Sequence, residues 1–260
     1  MSLHALSPEE ASAYAEDGFF IREGVFEKAE LDPMRAAAER VVAIAQAASR
    51  SGSTYHIDGN RYVDTSDSTV QFEHCDGSGT IRVIEPFHQL DPVFDRLIDD
   101  PRIVEPMRGI IGTPEVALWT DKLNLKRPLE GSRFRWHQDS PYWTHASPHV
   151  DLLPNVMLAL DGASEENGCF RVVRGSHRQG CLPGIEDESE IGVLFTDPAY
   201  FDEGQQVLAE MPAGSLAFFS PHTVHGSQPN ESELPRRALV LTYQPGGFAM
   251  FRAEGVRNAG

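Results

Sequence analysis

The sequence predicts a mainly β protein with flanking helices, in which the strands form a double-stranded β-helix, the jelly roll of cupin-like proteins. Residues 1–114 carry mainly helical patterns, whereas residues 115–245 consist of short apolar runs separated by turn residues. The 260 residues include 22 glycines and 18 prolines, which is typical of a globular chain with many turns. An array of about eight short strands after a helical start favours a jelly roll, with a plain β-sandwich as the alternative.

A helix start is visible at the beginning of the chain. Ser7 stands at an N-cap position, Pro8 at the first helical position, and Glu10 can complete a capping box. Gly18 should end this helix, and the apolar residues 19–21 predict a short strand.

The rest of the N-terminal part contains two further helix signals and one aperiodic segment. Apolar residues at spacings of three and four predict a long amphipathic helix at 27–49, and another helix is expected near 91–110. Residues 50–80 are rich in Gly, Ser, Thr and Asp without a sustained period, which indicates a long loop. We interpret this loop as a lid that closes over substrate. The lid would carry Tyr55, His56, Arg61 and Tyr62.

The C-terminal part reads as a series of strands. We expect the whole chain, residues 1–260, to form a single domain, because β-sandwiches and barrels of this length often remain undivided. The predicted strands lie at 115–125, 133–139, 154–161, 169–174, 191–196, 206–211, 215–220, 223–228 and 236–244.

Charge and composition exclude several classes of partner. The formal net charge of −17 would repel nucleic acid and anionic lipid. No apolar run approaches the roughly 20 residues that cross a bilayer, and the N-terminus lacks a secretory pattern, so we expect no membrane association and a cytoplasmic location. The three cysteines, Cys75, Cys169 and Cys181, lack the spacing of a disulfide framework or a thiolate zinc site.

The segment Arg135-Trp136-His137-Gln138-Asp139 is the most informative part of the sequence. If 133–139 is a strand, His137 and Asp139 project from the same face. A second imidazole from a distant strand, His225, would complete a triad of two histidines and one carboxylate. Such a triad holds one face of Fe(II) and leaves the other positions open.

Two other histidines compete for this role. His222 lies three residues before His225, but in a strand those two side chains point to opposite faces, so joint ligation is not expected. His177, in Gly-Ser-His-Arg, is interpreted as a structural turn residue.

Five motifs occur in order along the chain and together resemble the phytanoyl-CoA dioxygenase family, whose members use Fe(II), 2-oxoglutarate and O2. The motifs are Leu123-Asn124-Leu125-Lys126, Trp136-His137-Gln138-Asp139, Asn167-Gly168-Cys169, Gly175-Ser176-His177-Arg178 and His225-Gly226-Ser227 followed by Pro235-Arg236-Arg237-Ala238. The resemblance implies a dioxygenase that hydroxylates, or otherwise oxidises, an unactivated C–H bond of a small molecule and releases succinate and CO2. It implies His137, Asp139 and His225 as the iron ligands.

The same resemblance assigns the 2-oxoglutarate contacts. It implies that Arg236 pairs with the distal carboxylate, that Ser227 adds a hydroxyl group, and that Asn124 lies near the cofactor. A guanidinium can give a buried carboxylate two charge-assisted hydrogen bonds at once. Arg237 is the alternative, because neighbouring strand residues face opposite ways and both faces here are apolar enough to be buried.

The substrate pocket is less defined by sequence. Tyr142 and Trp143, just after the ligand pair, could line its wall or could pack a loop. Two other functions stay open: a zinc-dependent cupin-like hydrolase or isomerase, and a non-catalytic ligand-binding jelly roll.

Overall fold

The computed structural model describes residues 3–74 and 77–260. In chain order the elements are α1 (Pro8–Asp17), β1 (Phe19–Arg22), α2 (Lys28–Ala48), β2 (Ser53–Ile57), β3 (Asn60–Asp64), β4 (Thr69–Phe72), β5 (Ile81–Glu85), α3 (Pro92–Leu97), α4 (Pro101–Ile111), β6 (Val116–Lys126), β7 (Phe134–His137), α5 (Ser140–Trp143), β8 (Asn155–Ala159), β9 (Phe170–Val173), β10 (Gln206–Ala209), β11 (Leu216–Phe219), β12 (His225–Ser227), β13 (Arg236–Pro245) and β14 (Asn258–Ala259). Short 3₁₀ helices lie at His88–Leu90, Val150–Leu152, Ser176–Gln179, Gly192–Leu194, Pro198–Tyr200 and Glu203–Gln205.

Helix α1 begins and ends as predicted. The Glu10 N–H donates to Ser7 Oγ at 3.2 Å, and the Ser7 N–H donates to the Glu10 carboxylate at 2.9 Å, which is the reciprocal capping box. Gly18 ends the helix with φ +87°, a left-handed conformation that favours glycine. His177 lies against this end, where its Nε2 meets the Ala15 carbonyl oxygen at 3.1 Å, in the structural role that its turn predicts.

The long helix predicted at 27–49 is confirmed as α2, but the helix expected near 91–110 is two helices. Pro101 follows Asp100, and a residue before proline is disfavoured in the helical conformation. The Asp100 side chain instead accepts the Arg102 N–H at 2.9 Å and caps α4. The chain therefore breaks between α3 and α4.

The prediction of a long loop at 50–80 is wrong. Strands β2 and β3 form an antiparallel hairpin, and β4 adds to β3 and β5. The hairpin turn consists of Asp58 with φ +49° and Gly59 with φ +77°. Asp-Gly is a favoured two-residue hairpin turn, and this signal outweighs the weak periodicity of the flanking residues. Within the predicted segment, Cys75 and Asp76 lie outside the described residues.

Two antiparallel sheets face each other. Within the described residues the larger sheet has ten strands, in the order β1-β11-β8-β13-β6-β5-β4-β3-β2 with β14 beside β6. The smaller sheet has the order β10-β9-β12-β7. The prediction of a strand at 191–196 is wrong, because Gly192–Leu194 forms a 3₁₀ helix. At the end of this segment Phe195 bridges to His137, and the Thr196 N–H donates to the Trp136 carbonyl oxygen at 3.0 Å.

The two faces of the larger sheet pack against different partners. Its outer face packs on α2, α3 and α4, where Leu158, Phe218 and Leu239 are buried. Its inner face packs on the smaller sheet, for example Phe219 against Phe170 with ring centroids 5.0 Å apart. The space between the sheets is therefore partly filled by side chains and partly open.

No helix in the described part of the chain has the length and apolar character needed to span a bilayer. Cys169 is a buried free thiol and Cys181 an exposed one, whereas Cys75 lies outside the described residues.

Candidate active site

Neighbouring strands of the smaller sheet bring two histidines together. The register of β7 and β12 places His137 opposite His225. Their ring centroids are 4.1 Å apart. Phe170 and Phe219 pack beside the His225 ring, with centroids 5.3 and 5.1 Å away. The two imidazole rings are therefore adjacent on the inner face of the sheet, where aromatic side chains pack beside them.

The turn between β7 and α5 places Asp139 beside the two histidines. Strand β7 ends at His137, and Asp139 has helical angles, φ −78° and ψ −30°, at the start of α5. Its N–H donates to the Pro221 carbonyl oxygen at 3.0 Å. The fully buried Gln138 fixes the turn, because its amide nitrogen donates to the carbonyl oxygens of Gly180 and His222. Alternation along a strand therefore does not explain why His137 and Asp139 converge.

The three side chains form a cluster suited to a metal ion. One donor atom each from His137, Asp139 and His225 lies within 4.8 Å of the others. The His225 Nε2 and Asp139 Oδ2 atoms are 3.8 Å apart. Two nitrogens and one carboxylate oxygen, with an open cavity beside them, match the donor set of a ferrous centre with free positions.

The protonation state of the histidines also suits a metal. His137 Nδ1 lies 2.7 Å from the Arg135 carbonyl oxygen, and His225 Nδ1 lies 2.8 Å from the Thr223 carbonyl oxygen. A carbonyl oxygen can only accept, so each Nδ1 carries the proton and each Nε2 keeps its lone pair. Burial lowers the pKa of His137 to about 3 and also lowers the pKa of His225, which keeps both rings neutral at pH 7.

Asn155 orients the carboxylate, and sequence reasoning missed it. Its amide nitrogen donates to Asp139 Oδ2 at 3.0 Å, while its amide oxygen accepts from Thr242 Oγ1 at 2.6 Å. All three side chains are buried. Asn155 begins a predicted strand, and the sequence carries no signal that pairs it with Asp139.

A cavity of about 470 Å³ opens beside the cluster, between the two sheets. Arg236, Asn124 and Ser227 line it. The cluster of His137, Asp139 and His225, called the ligand cluster below, also lines it. Asn124 Oδ1 and Ser227 Oγ are buried without a hydrogen-bond partner in the described part of the protein. Buried polar atoms are normally paired, so these two atoms fit a polar ligand such as 2-oxoglutarate.

The arginine pair divides between the two faces of β13. Arg236 is buried at 4% exposure and faces the cavity, and among the described groups no carboxylate adds to its charge interactions. Burial lowers the pKa of Arg236 to about 10, which leaves it protonated at neutral pH. Arg237 faces outward, with its Nε 2.8 Å from Asp161 and its Nη1 2.9 Å from Glu39. Of the two alternatives, only Arg236 is available to a ligand in the cavity.

A second basic side chain, that of Lys126, lies near Arg236 but outside the cavity lining that the described residues provide. It lies opposite Arg236 in the register of β13 and β6, and it is fully buried. Its Nζ donates to the Gln228 carbonyl oxygen. Burial, and secondarily Arg236, lowers the pKa of Lys126 to about 6. A carboxylate bound nearby would favour the charged form of this lysine.

Of the two candidate substrate-pocket residues, Tyr142 and Trp143, only Tyr142 belongs to the cavity lining that the described residues provide. Tyr142 lines the cavity, with its ring centroid 6.1 Å from that of His137. Trp143, the other predicted wall residue, is 1% exposed and packs against Trp119 and Leu153 instead, because α5 turns it away from the cavity. The prediction for Trp143 is therefore corrected.

His222 lies outside the ligand cluster. The strand predicted at 223–228 begins only at His225, and His222 sits in the preceding turn. Its Nδ1 is 2.9 Å from Ser140 Oγ, and its Nε2 is 2.7 Å from Asp151 Oδ1.

The β2–β3 hairpin forms part of the cavity wall. Asp58, Asn60 and Tyr62 line the cavity from this side. The Asp58 carboxylate accepts the N–H groups of Glu190 and Ile191 at 2.7 and 3.1 Å, which ties the hairpin tip to the loop before β10. His56 and Arg61 are absent from the lining that the described residues provide.

Comparisons with known proteins agree with this geometry. Residues 14–238 match the family model described as phytanoyl-CoA dioxygenase (PhyH). The chain is 29% identical over 262 residues to the ectoine dioxygenase of Bordetella bronchiseptica, covering 92% of this chain and 75% of that protein.

Two solved structures share the fold. The crystal structure of EctD from S. alaskensis with 2-oxoglutarate and 5-hydroxyectoine has a TM-score of 0.70 and 26% identity, covering 94% of this chain and 78% of that one. The 2-oxoglutarate-dependent carbocyclase SnoK has a TM-score of 0.71 at 18% identity, and the match covers 98% of this chain and 97% of that one. The jelly-roll prediction is confirmed by these matches.

The family match covers both the N-terminal helices and the strands that carry the cluster and the cavity. Iron, 2-oxoglutarate and dioxygen are the cofactors of this class. The chain belongs to the phytanoyl-CoA dioxygenase family and is an iron- and 2-oxoglutarate-dependent oxygenase.

Proposed function

We propose that the enzyme hydroxylates, or otherwise oxidises, an unactivated C–H bond of a small-molecule metabolite and releases succinate and CO2. His137, Asp139 and His225 bind the iron. The observation that carries the proposal is their convergence within 4.8 Å at the wall of a cavity of about 470 Å³. When bound, iron and 2-oxoglutarate together activate dioxygen to attack the C–H bond; the chain's own residues bind, orient and exclude water.

Arg236, Ser227 and Asn124 bind 2-oxoglutarate in this proposal. The buried guanidinium of Arg236 would pair with the distal carboxylate. Ser227 Oγ and Asn124 Oδ1, which are buried without partners in the described residues, would gain theirs when the cosubstrate enters. A ligand that satisfies buried polar atoms and pairs a buried charge removes the desolvation penalty those groups carry.

The remaining lining groups position the substrate and keep water away. Met157, Phe170, Phe219 and Val240 supply an apolar surface near the ligand cluster. Tyr142 stands beside His137, where it can contact the substrate. We further propose that residues 1–260 act as one domain, which the joining of β1–β5 to the larger sheet supports.

The test is cofactor-dependent turnover with a panel of metabolites that includes ectoine and L-proline. We expect succinate release to require Fe(II), 2-oxoglutarate and oxygen, to rise when a substrate is present, and to stop when Zn(II) replaces Fe(II). Turnover of a substrate without oxygen and 2-oxoglutarate would instead support a zinc hydrolase or isomerase. Tight binding without turnover would support a ligand-binding module.

Asn155→Ala should weaken the iron site without unfolding the protein. The substitution removes the hydrogen bond to Asp139 Oδ2, so the carboxylate loses its fixed orientation. Loss of such a supporting contact typically reduces metal affinity or activity by about 10- to 100-fold. The measurement is Fe(II) titration of the purified variant, with the melting temperature as a check on folding.

Asn230→Ala is the matched control for this prediction. Asn230 is also a buried asparagine, but it bonds the Leu234 carbonyl oxygen in a loop away from the ligand cluster. An equal loss of iron affinity in both variants would show that the Asn155 effect is general destabilisation.

A further inference from the structure

The cavity extends well beyond the proposed 2-oxoglutarate position. On the inner face of the sheet, Arg236 lies opposite Lys126, whereas Val240 lies opposite Lys122. Lys122 is four residues from Lys126 along β6, which is roughly 13 Å at the rise of a strand. Lys122 therefore marks a second part of the cavity, away from the Arg236 end and beside Tyr142.

Two cations in this second part form no direct ion pair within the described chain. Lys122 Nζ lies 6.0 Å from the ring centroid of Tyr142 and 5.7 Å from that of Trp143. The Arg135 guanidinium lies 4.1 Å from the centroid of the Phe195 ring. Both cations line the cavity, and neither is fully exposed to water.

The acids that line the cavity are engaged elsewhere. Glu85 accepts from Thr120 Oγ1 at 2.9 Å and lies 3.6 Å from Arg252 Nε. Asp58 accepts the two backbone N–H groups that tie the hairpin tip to its neighbouring loop. Asp139 belongs to the metal cluster. Lys122 and Arg135 therefore have no direct ion pair among the described residues. The charge of Arg135 acts only at longer range, for example on Asp187, whose pKa is lowered mainly by hydrogen bonds from Ser189 and secondarily by Arg135.

Of the other cations that line the cavity, Arg82 is held through its terminal nitrogens, although its Nε has no hydrogen-bond partner in the described residues. Arg82 donates to Ser132 Oγ at 2.8 Å and to the Arg133 carbonyl oxygen at 2.7 Å, and its guanidinium covers the Phe134 ring at 3.9 Å. The Arg133 side chain is exposed at the rim. Lys122 and Arg135 differ from Arg82, because within the described residues their side chains make cation–π contacts but no hydrogen bond. They differ from Arg133, because they are only partly exposed.

Cations that lack a direct ion pair are unexpected in the cavity of this chain. The protein carries a formal net charge of −17, so acids to pair with them are abundant. A partly desolvated cation without an anion costs free energy, and such positions are characteristic of sites that bind an anion. Tyr142 adds a hydroxyl group that can donate to the same anion.

We propose that the substrate is a small organic acid, whose carboxylate or phosphorus oxyanion is held by Lys122 and Arg135 beside Tyr142. The inference rests on the proposed function, because it assumes that the Arg236 end takes 2-oxoglutarate. The anionic group anchors one end of the substrate, and the reacting carbon lies between that anchor and the ligand cluster. Lys122 and Arg135 are therefore specificity-determining residues.

The test uses minimal anions as probes on the protein loaded with Fe(II) and 2-oxoglutarate under anaerobic conditions. Formation of the visible charge-transfer absorption of the ferrous 2-oxoglutarate complex first verifies the cofactor site. Methylphosphonate and acetate are then titrated, and paramagnetic broadening of their NMR signals reports binding near the iron. Dimethyl methylphosphonate and acetamide are the neutral counterparts.

We expect the NMR signals of methylphosphonate and acetate to broaden, and those of their neutral counterparts to stay sharp. Broadening of the phosphonate but not of acetate, or the reverse, identifies which oxyanion the site takes. Lys122→Met and Arg135→Met should each weaken the response by about tenfold or more, since each removes a charged hydrogen-bond donor. Lys122→Arg should retain most of it. Lys28→Met is the control and should change nothing, because the Lys28 side chain is exposed on the surface of α2.

Three results would overturn the proposal. The first is equal broadening by neutral and anionic probes, and the second is the absence of broadening by any anion. The third is a weaker 2-oxoglutarate titration in Lys122→Met with unchanged probe binding, which would assign Lys122 to the cosubstrate. If the charge-transfer absorption does not form in the unaltered protein, the proposed function itself is wrong. This outcome is distinguishable from failure of the anion proposal, because the absorption is measured before any probe is added.

Discussion

Replacing His137 with alanine is expected to abolish turnover and to remove most of the bound iron. The ring supplies one of the three protein donor atoms of the cluster, and no described histidine, cysteine or acid outside His137, Asp139 and His225 joins that cluster. If three ligands share a binding free energy on the order of 10 kcal/mol, loss of one costs about 3 kcal/mol, or about 100-fold in iron affinity. Asp139→Ala should behave in the same way.

The measurement is iron content after dialysis, together with succinate release at saturating Fe(II). His145→Ala is the matched control, because His145 is exposed and lies near Phe251 and not in the cluster. Full iron binding by His137→Ala would contradict the assignment. A cooperative melting transition close to that of the unaltered protein would show that the loss is local.

Replacing Arg236 with glutamine is expected to raise the 2-oxoglutarate concentration required for half-maximal turnover by about 100-fold or more. The guanidinium can give a carboxylate two charge-assisted hydrogen bonds of about 1.5–3 kcal/mol each. The variant should not lose stability in the absence of cosubstrate. Arg236 is buried, and among described groups no carboxylate pairs with it, so its removal relieves a desolvation cost.

Arg237→Gln is a stringent control, since it changes the adjacent residue in the same way. Arg237 pairs with Asp161 and Glu39 on the outer face, and these ion pairs raise its pKa. Its loss should lower the free energy of unfolding by about 1 kcal/mol and leave 2-oxoglutarate binding intact. The two variants therefore predict opposite patterns in affinity and stability, measured by 2-oxoglutarate titration and by denaturant unfolding. A weaker 2-oxoglutarate response in Arg237→Gln alone would reverse the assignment.

Local signals determined much of the fold. The capping box at Ser7 and Glu10 set the start of α1, and the apolar periodicity of 27–49 set α2, because both depend on contacts between residues close in sequence. The Asp58-Gly59 turn is equally local, but the loop prediction for 50–80 rested on composition and the lack of a sustained period and did not use it. The strand expected at 191–196 had apolar character, but its pairing is limited to single bridges of Phe195 with His137 and of Thr196 with Gly184, and a regular strand requires continued pairing.

Residue types, their spacing and the family resemblance singled out His137, Asp139 and His225 as candidate iron ligands, and left Arg236 and Arg237 as alternative partners of 2-oxoglutarate. Tertiary structure decided the rest. Asp139 joins His137 through a turn held by Gln138, Asn155 reaches Asp139 from another sheet, and strand β13 sends Arg236 inward and Arg237 outward. These contacts depend on strand register and on backbone direction at one turn, which long-range pairing sets and local spacing does not encode.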